Sequence, residues 1–520
     1  MERKGSPTKD INNFNESMLN FERQSVNKRF TIGIDVGTTG TKSLLFTENG
    51  EVVAHAYRSY SLLTSRVGYS EQNAEDWWHA IVETVREITL GRDVSDKVCA
   101  ISLSTQGGTL VPADKNGNAL RPAIVWNDAR CTEQREKYIA EVGEPDTMYQ
   151  KTGWKLGRTL LALEIRWLRE NEPEIFDKTD MFLSVPDYVS MKMTGIAAID
   201  PSNAGINQLS NIRCGKYDEE LLKFAGISEN QLPKIVRSGD VIGNLTENAA
   251  RELGLSTRAV LVAGAHDQYA VALGAGASRD GDILIGSGTC WVVTALSKSP
   301  DFDSGLAQSV AAVPGLWGSL SSLSSGGVCL EWLRKNVAKG ASDELIDFGT
   351  LDREADASRA AEDNLFFFPF SGKCGEKARL SRASFVGMDL SHDRFNLAKA
   401  VMEGVAFQIY WMMHSFKAKP SEKGLILSGG ASKSAVWAQI LADVTALPVR
   451  IPKIADLACV GAAILAGYGA GLYTDMSDGY RRFAVEESVV YPDPERAKMY
   501  SLAYENYKKH AEALGMIYKK

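Results

Sequence analysis

The feature that most constrains this chain of 520 residues is a strand–glycine turn–strand pattern that occurs twice. In the first copy, residues 31–42, apolar Ile32 and Ile34 alternate with small or polar neighbours before two glycines break the run. The second copy begins at Asp282 and reaches a Gly-Ser-Gly-Thr turn at 286–289, followed by another apolar strand. Two such units far apart in one chain predict two similar domains.

Each turn is predicted to bind phosphate. Glycine lets backbone N–H groups approach a ligand closely, and hydroxyl groups supply further donors. The first turn carries Thr38 and Thr39, and Asp35 stands at the end of its strand, where a carboxylate could hold a cation. Taken alone, such a turn is equally explained as an ordinary tight hairpin with a solvated aspartate. The second turn is what favours phosphate.

Composition indicates a globular protein of about two domains. Hydrophobic residues make up 44% and charged residues 24%, and the chain exceeds what one hydrophobic core usually organises. The formal net charge is -7, which argues against a nucleic-acid partner because such binding rests on clustered Lys and Arg. A small anionic ligand held by backbone donors remains compatible with this charge.

The cysteines and the apolar runs predict a cytoplasmic protein. Seven cysteines are scattered without a paired short spacing, which favours reduced thiols. No apolar run reaches membrane-spanning length, so no membrane partner is expected. Residues 1–28 are mostly polar and are predicted to form a flexible leader.

Several polar side chains follow predicted strands, where open α/β sheets place ligands. Gln106 and Gly107 follow an apolar strand that ends at Ser104, and Trp126 and Asp128 follow the next apolar run. Each one singly is equally explained by turn chemistry or by a packed tryptophan. Their shared position at strand ends favours a ligand role.

The run Ala259–Ala265 reads as a buried strand that delivers Asp267 to its C-terminal end. Asp267 is thus the best-placed carboxylate in the chain, although its position alone slightly favours capping of the following helix. A later strand leads into Gly429 and Gly430, where a flat ligand could lie against the backbone. The alternative there is a helix entry packed tightly on its strand.

With these motifs in this order, the chain resembles the FGGY family of carbohydrate kinases, in its xylulokinase-like and gluconokinase-like branch. The resemblance runs from about Thr31 to about Gly467 and includes Trp126–Arg130 and Gly264–Gln268. It implies the fold of the actin, Hsp70 and hexokinase ATPases: two ribonuclease H-like α/β domains with mixed sheets flanked by helices, and an active-site cleft between them. The domains are expected at 29–275, binding sugar, and at 276–520, binding nucleotide.

The resemblance also implies roles for individual residues. Asp267 matches the general base that takes a proton from a sugar hydroxyl, and Asp35 matches the residue that positions Mg²⁺. ATP contacts are implied for Gly37, Thr38, Thr39, Gly286, Ser287, Gly288, Thr289, Gly326, Gly327, Gly429, Gly430 and Ser434, with Gln439 nearby. A sugar pocket is implied for Gln106, Gly107, Trp126, Asp128, Asp187 and Asp267.

The reaction implied is transfer of the γ-phosphoryl group of ATP to a small sugar, polyol or sugar acid, with a pentulose such as xylulose favoured. Gly107-Gly108, following Gln106, replaces the Arg-Glu pair of glycerol kinases, and Thr159 replaces their pocket tyrosine, which disfavours glycerol. Gln106-Gly107-Gly108 also stands where xylulokinases have Met-His-Gly, so this segment does not support D-xylulose but leaves it open. Glu164 stands where a lysine is common, and residues 372–376 also depart from the family pattern.

Two other functions remain open on the sequence. One is an ATPase switch of the actin or Hsp70 kind, and the other is a catalytically weak sugar-binding regulator on the kinase scaffold. Retention of the Asp267 position disfavours the regulator. Because family members often form dimers, the resemblance leaves a homodimer open.

Overall fold

The computed structural model describes residues 29–157, 160–339, 344–375, 378–454, 456–483 and 487–518. The predicted leader and Thr159 lie outside the described residues. The chain divides into two compact units. The first contains the residues up to Glu144 together with Leu156–Gly274 and Asp456–Phe483, and the second contains Pro145–Lys155, Ala275–Ala455 and Ala484–Lys520.

The strands of the described residues are, in chain order, β1 (Phe30–Val36), β2 (Gly40–Thr47), β3 (Val52–Ser59), β4 (Glu71–Gln72), β5 (Val98–Thr105), β6 (Val111–Ala113), β7 (Ala123–Ile124), β8 (Met181–Leu183), β9 (Ala198–Ile199), β10 (Ser210–Asn211), β11 (Lys216–Tyr217), β12 (Lys234–Ile235), β13 (Val241–Asn244), β14 (Val260–His266), β15 (Ile283–Ser287), β16 (Trp291–Ser297), β17 (Ala307–Val310), β18 (Trp317–Leu323), β19 (Phe366–Phe368), β20 (Ser384–Val386), β21 (Leu425–Gly429), β22 (Val449–Pro452) and β23 (Glu487–Val490).

The α-helices of the described residues are α1 (Ala74–Thr89), α2 (Thr132–Glu141), α3 (Pro145–Thr152), α4 (Leu161–Asn171), α5 (Pro173–Lys178), α6 (Val185–Thr194), α7 (Pro201–Ile206), α8 (Glu219–Ala225), α9 (Glu247–Leu253), α10 (Asp267–Gly274), α11 (Gly327–Asn336), α12 (Phe348–Ala357), α13 (Arg394–Met413), α14 (Ala435–Thr445), α15 (Leu457–Gly469), α16 (Met476–Phe483) and α17 (Pro494–Tyr518). None of them is long and apolar enough to cross a membrane.

The first unit is built on a six-stranded mixed sheet in the order β13-β14-β5-β1-β2-β3. Strand β1 pairs antiparallel with β2 and parallel with β5. Ile32 and Ile34 are fully buried, as their alternation predicts, and they pack in a core that includes residues of α1 and α6. Such burial contributes about 1.5–3 kcal/mol for each large aliphatic side chain.

Helix α15 belongs to the first unit although the chain reaches it only after most of the second. It packs on β1 and α10 through contacts that leave no room for a side chain. A Cβ on Gly33 would lie 1.9 Å from the carbonyl oxygen of Cys459, and a Cβ on Gly461 would lie 1.9 Å from that of Ala270. Glycine is therefore required where this helix meets its neighbours.

The second unit is built on a seven-stranded sheet in the order β17-β18-β16-β15-β21-β22-β23. Strand β15 pairs antiparallel with β16 and parallel with β21, which repeats the arrangement of β1, β2 and β5. Its core is separate and includes aromatic residues of β19, α13 and α17. The internal repeat predicted from the two glycine turns is thus present as two copies of one strand arrangement.

Most elements predicted from hydrophobic pattern are confirmed to within a few residues. The strand predicted at Ala259–Ala265 is observed as β14, which pairs parallel with β5 and antiparallel with β13. Two segments pack outside the sequential division predicted at residue 275: 145–155 belongs to the second unit and 456–483 to the first. Local sequence carries no signal for such exchanges.

Candidate active site

The turn between β1 and β2 is held from within the first unit. The backbone N–H of Gly37 donates to the carbonyl of Gly40 at 3.0 Å, which closes the turn. The hydroxyl of Tyr60 donates to the carbonyl of Gly37 at 2.6 Å. These bonds fix the turn before any ligand binds, which lowers the entropic cost of ordering it around a phosphate.

The side chain of Thr38 joins this turn to two residues predicted for the sugar pocket. The indole N–H of Trp126 donates to Thr38 Oγ1 at 3.0 Å, and that hydroxyl donates to Gln106 Oε1 at 2.9 Å. Gln106 Nε2 donates to Gln72 Oε1 at 3.0 Å, and Gln72 Nε2 returns to the carbonyl of Thr38 at 2.6 Å. We call Thr38, Gln72, Gln106 and Trp126 the acceptor network, because Gln106 and Trp126 are predicted to line the pocket of the sugar that accepts the phosphoryl group.

Trp126 is the exposed member of the acceptor network. Its side chain is 48% exposed, whereas Gln106 and Gln72 are buried. An indole whose N–H is already bonded presents its apolar ring face to a ligand, which is how aromatic residues contact sugar rings and carbon chains. The sequence pattern identified Gln106 and Trp126 but missed Gln72, which ends the short strand β4 just before α1 and carries no motif.

Asp267 directly follows the C-terminal end of β14 and is the first residue of α10. Its side chain is 36% exposed, and its Oδ1 lies 3.4 Å from Nδ1 of His266. Among the described residues no backbone N–H donates to this carboxylate, so capping of α10 does not occupy it. Gly107 borders the same place, since a Cβ there would lie 2.7 Å from His266 Cδ2.

Asp35 is the second carboxylate at this end of the sheet. It accepts a hydrogen bond from Ser104 Oγ at 2.7 Å, across the β1–β5 pairing. Burial, with a smaller contribution from the nearby charge of Asp267, raises the pKa of Asp35 to about 6 despite that hydrogen bond. A cation bound next to Asp35 would relieve this cost by favouring the ionised form.

The donor chemistry around Asp35 fits a magnesium ion that arrives with a nucleotide. Mg²⁺ prefers oxygen ligands and is usually held by one or two carboxylates plus phosphate oxygens and water. Within the described residues there is no group of three or more His, Cys, Asp or Glu side chains arranged to hold a metal ion. Asp35 and the neighbouring Asp267 supply carboxylate oxygens, which is the donor type that Mg²⁺ takes.

The structure gives Asp128 internal partners. Its carboxylate accepts from the backbone N–H of Ser70 at 2.6 Å and from Arg130 Nε at 2.9 Å. Arg130 also pairs with Glu71, and the side chains of Asp128 and Arg130 are almost fully buried. A buried charge needs such partners, so this pair fixes the loop that carries Trp126 instead of meeting the acceptor network directly.

Asp187 also has internal partners, at the start of α6. Its two oxygens accept from the backbone N–H of Ser184 at 2.7 Å and from Ser184 Oγ at 2.5 Å, in a capping box. Burial raises the pKa of Asp187 to about 7 against these hydrogen bonds. The helix-entry chemistry visible in Ser184-Val-Pro-Asp187 is what places this carboxylate.

In the second unit, Ser287 locks the glycine turn to the Gly429-Gly430 pair. Ser287 Oγ donates to the carbonyl of Ser428 at 2.5 Å and accepts from the N–H of Ala431 at 3.0 Å. The N–H of Gly430 donates to the carbonyl of Ser287 at 2.7 Å. Gly429 adopts a left-handed φ of +89°, and a Cβ there would lie 2.8 Å from Ser287 O.

The Gly326-Gly327 pair meets the same turn from the start of α11. The N–H of Gly326 donates to the carbonyl of Thr289 and the N–H of Gly327 to that of Gly288, both at 3.2 Å. A Cβ on Gly326 would lie 2.1 Å from Cδ1 of Trp291. The turn at 286–289, residues 326–327 and residues 429–430 thus form one backbone frame, although a Cβ on Gly286 would make only an ordinary 3.7 Å contact with Val292 O.

This frame borders a cavity of about 560 Å³, within the size range of nucleotide-sized ligand sites. Predicted ATP contacts that line it are Ser287, Gly288, Thr289, Gly327, Gly430 and Ser434. Residues that the sequence pattern missed are Trp291, Val328, Leu330, Glu331, Phe348, Asp352, Ala431, Lys433 and Trp437. Ser434 also caps α14 by accepting from the N–H of Trp437 at 3.0 Å, whereas Gln439 bonds Asp443 and Tyr491 instead.

Phe348 is the most exposed aromatic wall of this cavity and has a defined support. The guanidinium of Arg334 lies 4.6 Å from the centre of its ring, and Arg334 Nε pairs with Glu331 at 2.9 Å. No sequence motif marks Phe348, which follows the N-cap Asp347 of α12 in an otherwise ordinary helix start. The packing of α12 on α13 and α14, with the Arg334 contact from α11, brings it to the cavity.

Comparison with known proteins decides the family. The N-terminal domain of the FGGY family of carbohydrate kinases matches residues 30–274, and the C-terminal domain of that family matches residues 282–470. The chain belongs to the FGGY family of carbohydrate kinases. The predicted family, enzyme class and actin-like ATPase fold are thereby confirmed, and ATP is the phosphoryl donor expected of such a kinase.

Individual relatives extend over nearly the whole kinase. A xylulose kinase of Bacillus subtilis (strain 168) is 30% identical over 488 residues, which are 92% of this chain and 96% of the relative. A gluconokinase of the same strain is 28% identical over 479 residues, 88% of this chain and 92% of the relative. The crystal structure of a xylulose kinase from Rhodospirillum rubrum superposes with a TM-score of 0.86 at 28% identity, covering 94% of this chain and 99% of that one.

Proposed function

We propose that this kinase transfers the γ-phosphoryl group of ATP to a hydroxyl of a small sugar, with a pentulose such as xylulose as the favoured acceptor. The observation that carries the proposal is the placement of Asp267 at the end of β14, uncapped and beside Gly107, in the unit that also holds the acceptor network. The names of the xylulose kinase and gluconokinase relatives support a sugar or sugar acid as substrate class.

Asp267 would act as the general base. Phosphoryl transfer has a loose transition state, so the acceptor hydroxyl needs to lose its proton only late in the reaction, and a carboxylate is then a sufficient base. Its Oδ1 is buried and takes no hydrogen bond from the described residues, so the exposed part of the carboxylate would accept the hydrogen bond from a sugar hydroxyl. His266, 3.4 Å away, limits the directions from which that hydroxyl can approach.

Asp35 would hold Mg²⁺, and the turn at Gly37, Thr38 and Thr39 would supply backbone N–H donors to the phosphates. When bound, Mg²⁺ neutralises charge on the phosphate oxygens. Since the hydroxyl of Thr38 already donates to Gln106, its contribution to phosphate comes from the backbone. In the second unit, the frame around residues 286–289 would hold the nucleotide in the cavity beside Phe348.

The acceptor network supports an uncharged acceptor. Thr38, Gln72, Gln106 and Trp126 are uncharged and bonded to one another, and Trp126 presents an apolar ring face, which matches a ligand without a carboxylate. A sugar acid would need a positive partner for its carboxylate. This chemistry is why a pentulose ranks above gluconate in the proposal.

The test is ADP release by the purified kinase with Mg²⁺ and ATP, measured against a panel of pentuloses, gluconate, polyols and glycerol. Strong stimulation by one small compound, with a pentulose giving the highest kcat/KM, is the expected result. Preference for gluconate would overturn the acceptor assignment alone. No stimulation by any small compound would overturn the kinase assignment in favour of a protein-activated ATPase switch or a sugar-binding regulator.

A further inference from the structure

The ion pair of Lys42 with Asp456 lies next to Asp35, and neither of its residues has been given a role above. Lys42 on β2 donates a short hydrogen bond to Asp456, the residue that precedes α15. Both side chains are only partly exposed, at 35% for Lys42 and 26% for Asp456. Asp456 belongs to the first unit, so the partner of this β2 lysine comes from a distant part of the sequence.

Asp456 occupies an N-cap position but does not cap its helix. The other aspartates at the N-caps of α-helices among the described residues accept hydrogen bonds from backbone N–H groups of their own helices; they are Asp200, Asp218, Asp347 and Asp393. The Asp456 side chain makes no such bond, and its backbone has a left-handed φ of 60°. This conformation costs a non-glycine residue about 1 kcal/mol or more, and the carboxylate gives up the stabilisation of a cap. Its side chain is used for Lys42 instead.

Lys42 has a competing partner in Asp35. The two residues are directly opposite each other in the antiparallel pairing of β1 with β2, so their side chains leave the same face of the sheet. Opposite charges at such positions attract, yet among the described residues the ion pair of Lys42 is with Asp456 and the hydrogen bond to Asp35 comes from Ser104.

We propose that Asp456 is a positioning residue that holds Lys42 away from Asp35, so that the Asp35 carboxylate stays available to the magnesium ion of the nucleotide complex. The inference rests on the proposed role of Asp35. Without Asp456, the ammonium group of Lys42 turns to its cross-strand partner and competes with the metal. Asp456 then matters through Lys42, not through a contact of its own with the ion.

A double-mutant cycle on metal binding tests this. Binding of Mn²⁺, in place of Mg²⁺, to the kinase with a non-hydrolysable ATP analogue is measured by electron paramagnetic resonance for wild type, Asp456→Asn, Lys42→Gln and the double variant. We expect Asp456→Asn to weaken Mn²⁺ binding about fivefold, and to have no effect in the Lys42→Gln background. The matched control is Asp218→Asn, an N-cap change in the same unit.

The outcomes separate this inference from the function it rests on. If Asp456→Asn weakens Mn²⁺ binding equally with and without Lys42, the carboxylate acts by its own charge. If Asp456→Asn leaves Mn²⁺ binding unchanged, Asp456 does not position Lys42. Either result overturns the inference. If Asp35→Asn leaves Mn²⁺ affinity unchanged, the metal role of Asp35 fails, and the inference with it. If Mn²⁺ binding follows the expected cycle but no sugar stimulates ADP release, only the acceptor proposal fails.

Discussion

The two glycine turns share a sequence pattern and a strand arrangement, but they are anchored differently. In the first unit the hydroxyl of Thr38 bonds side chains, Gln106 and Trp126. In the second unit the hydroxyl of Ser287 bonds backbone groups, those of Ser428 and Ala431. Thr38 and Ser287 both carry a hydroxyl and both follow a glycine at the end of a strand. The first hydroxyl bonds side chains, and the second bonds the backbone.

The difference indicates a division of work between the turns. The first turn is hydrogen-bonded to the side chains proposed to contact the sugar, so a shift of this turn would move those side chains. A turn tied to two glycine pairs shapes a backbone frame around a cavity with largely apolar and aromatic walls. Changes in the first turn should therefore alter acceptor kinetics, and changes in the second should alter nucleotide affinity or the stability of its own unit.

The largest expected effect is that of Asp267→Asn, which removes the base but keeps the shape of the side chain. We expect kcat to fall by about 10²–10⁴-fold, the usual contribution of general base catalysis, while nucleotide affinity stays near that of wild type. Stopped-flow or steady-state ADP release gives kcat, and calorimetry gives the affinity. Asp240→Asn, at an exposed ion pair with Arg237, is the control; retention of most of the kcat in Asp267→Asn would remove this residue from the chemistry.

The next effect concerns the frame of the second unit. Gly326→Ala places a Cβ 2.1 Å from Trp291, so the start of α11 must shift, and we expect a loss of about 1–3 kcal/mol in stability with weaker nucleotide binding. Thermal unfolding with and without ADP measures both. Gly375→Ala is the matched control because its nearest contact would be an ordinary 3.6 Å. Equal stability and equal ADP binding in the two variants would contradict the proposal that the backbone frame shapes the nucleotide site.

Thr38→Val and Ser287→Ala test the comparison directly. Thr38→Val removes both side-chain bonds of the hydroxyl, and we expect the KM for the acceptor to rise about tenfold with little change in nucleotide affinity. Ser287→Ala leaves a carbonyl and an N–H without their partner, and we expect weaker nucleotide binding, by about 1–3 kcal/mol, with the acceptor KM unchanged. If each variant changed both constants alike, the proposed division of work would be wrong.

The smallest effect is a pH dependence of stability in the second unit. Glu403 is fully buried on α13 and bonds the hydroxyl of Tyr500 at 2.7 Å, and burial raises its pKa to about 7. The folded state therefore holds its proton more tightly than the unfolded state, and the stability this provides is lost as pH rises through 7. Wild type should lose about 1 kcal/mol from this group between pH 6 and pH 7.

Glu403→Gln, which is neutral at every pH, should remove that part of the slope. Melting temperatures of both proteins between pH 5 and pH 8 measure it, and wild type should lose stability relative to Glu403→Gln as pH rises to about 7. Asp187→Asn is the matched test in the first unit, because burial raises the pKa of Asp187 to about 7 as well. Parallel melting curves for wild type and Glu403→Gln would show that Glu403 is ionised in the folded protein.

The sequence alone determined what depends on neighbours along the chain. Apolar alternation placed β1, a continuous apolar run placed β14, and glycine placed the two turns, because strand patterning and turn geometry are local properties. The position of Asp267 after a buried strand followed from the same reasoning. The order of these motifs was enough to indicate the family.

Tertiary structure alone decided which side chains are occupied and by what. Asp128 and Asp187 follow strands much as Asp267 does, yet internal partners hold the first two, since a buried carboxylate must find donors wherever the packed chain supplies them. Phe348 reaches the nucleotide-sized cavity only through helix packing. The pairing of Lys42 with Asp456 depends on α15 returning to the first unit, a long-range contact that no local pattern encodes.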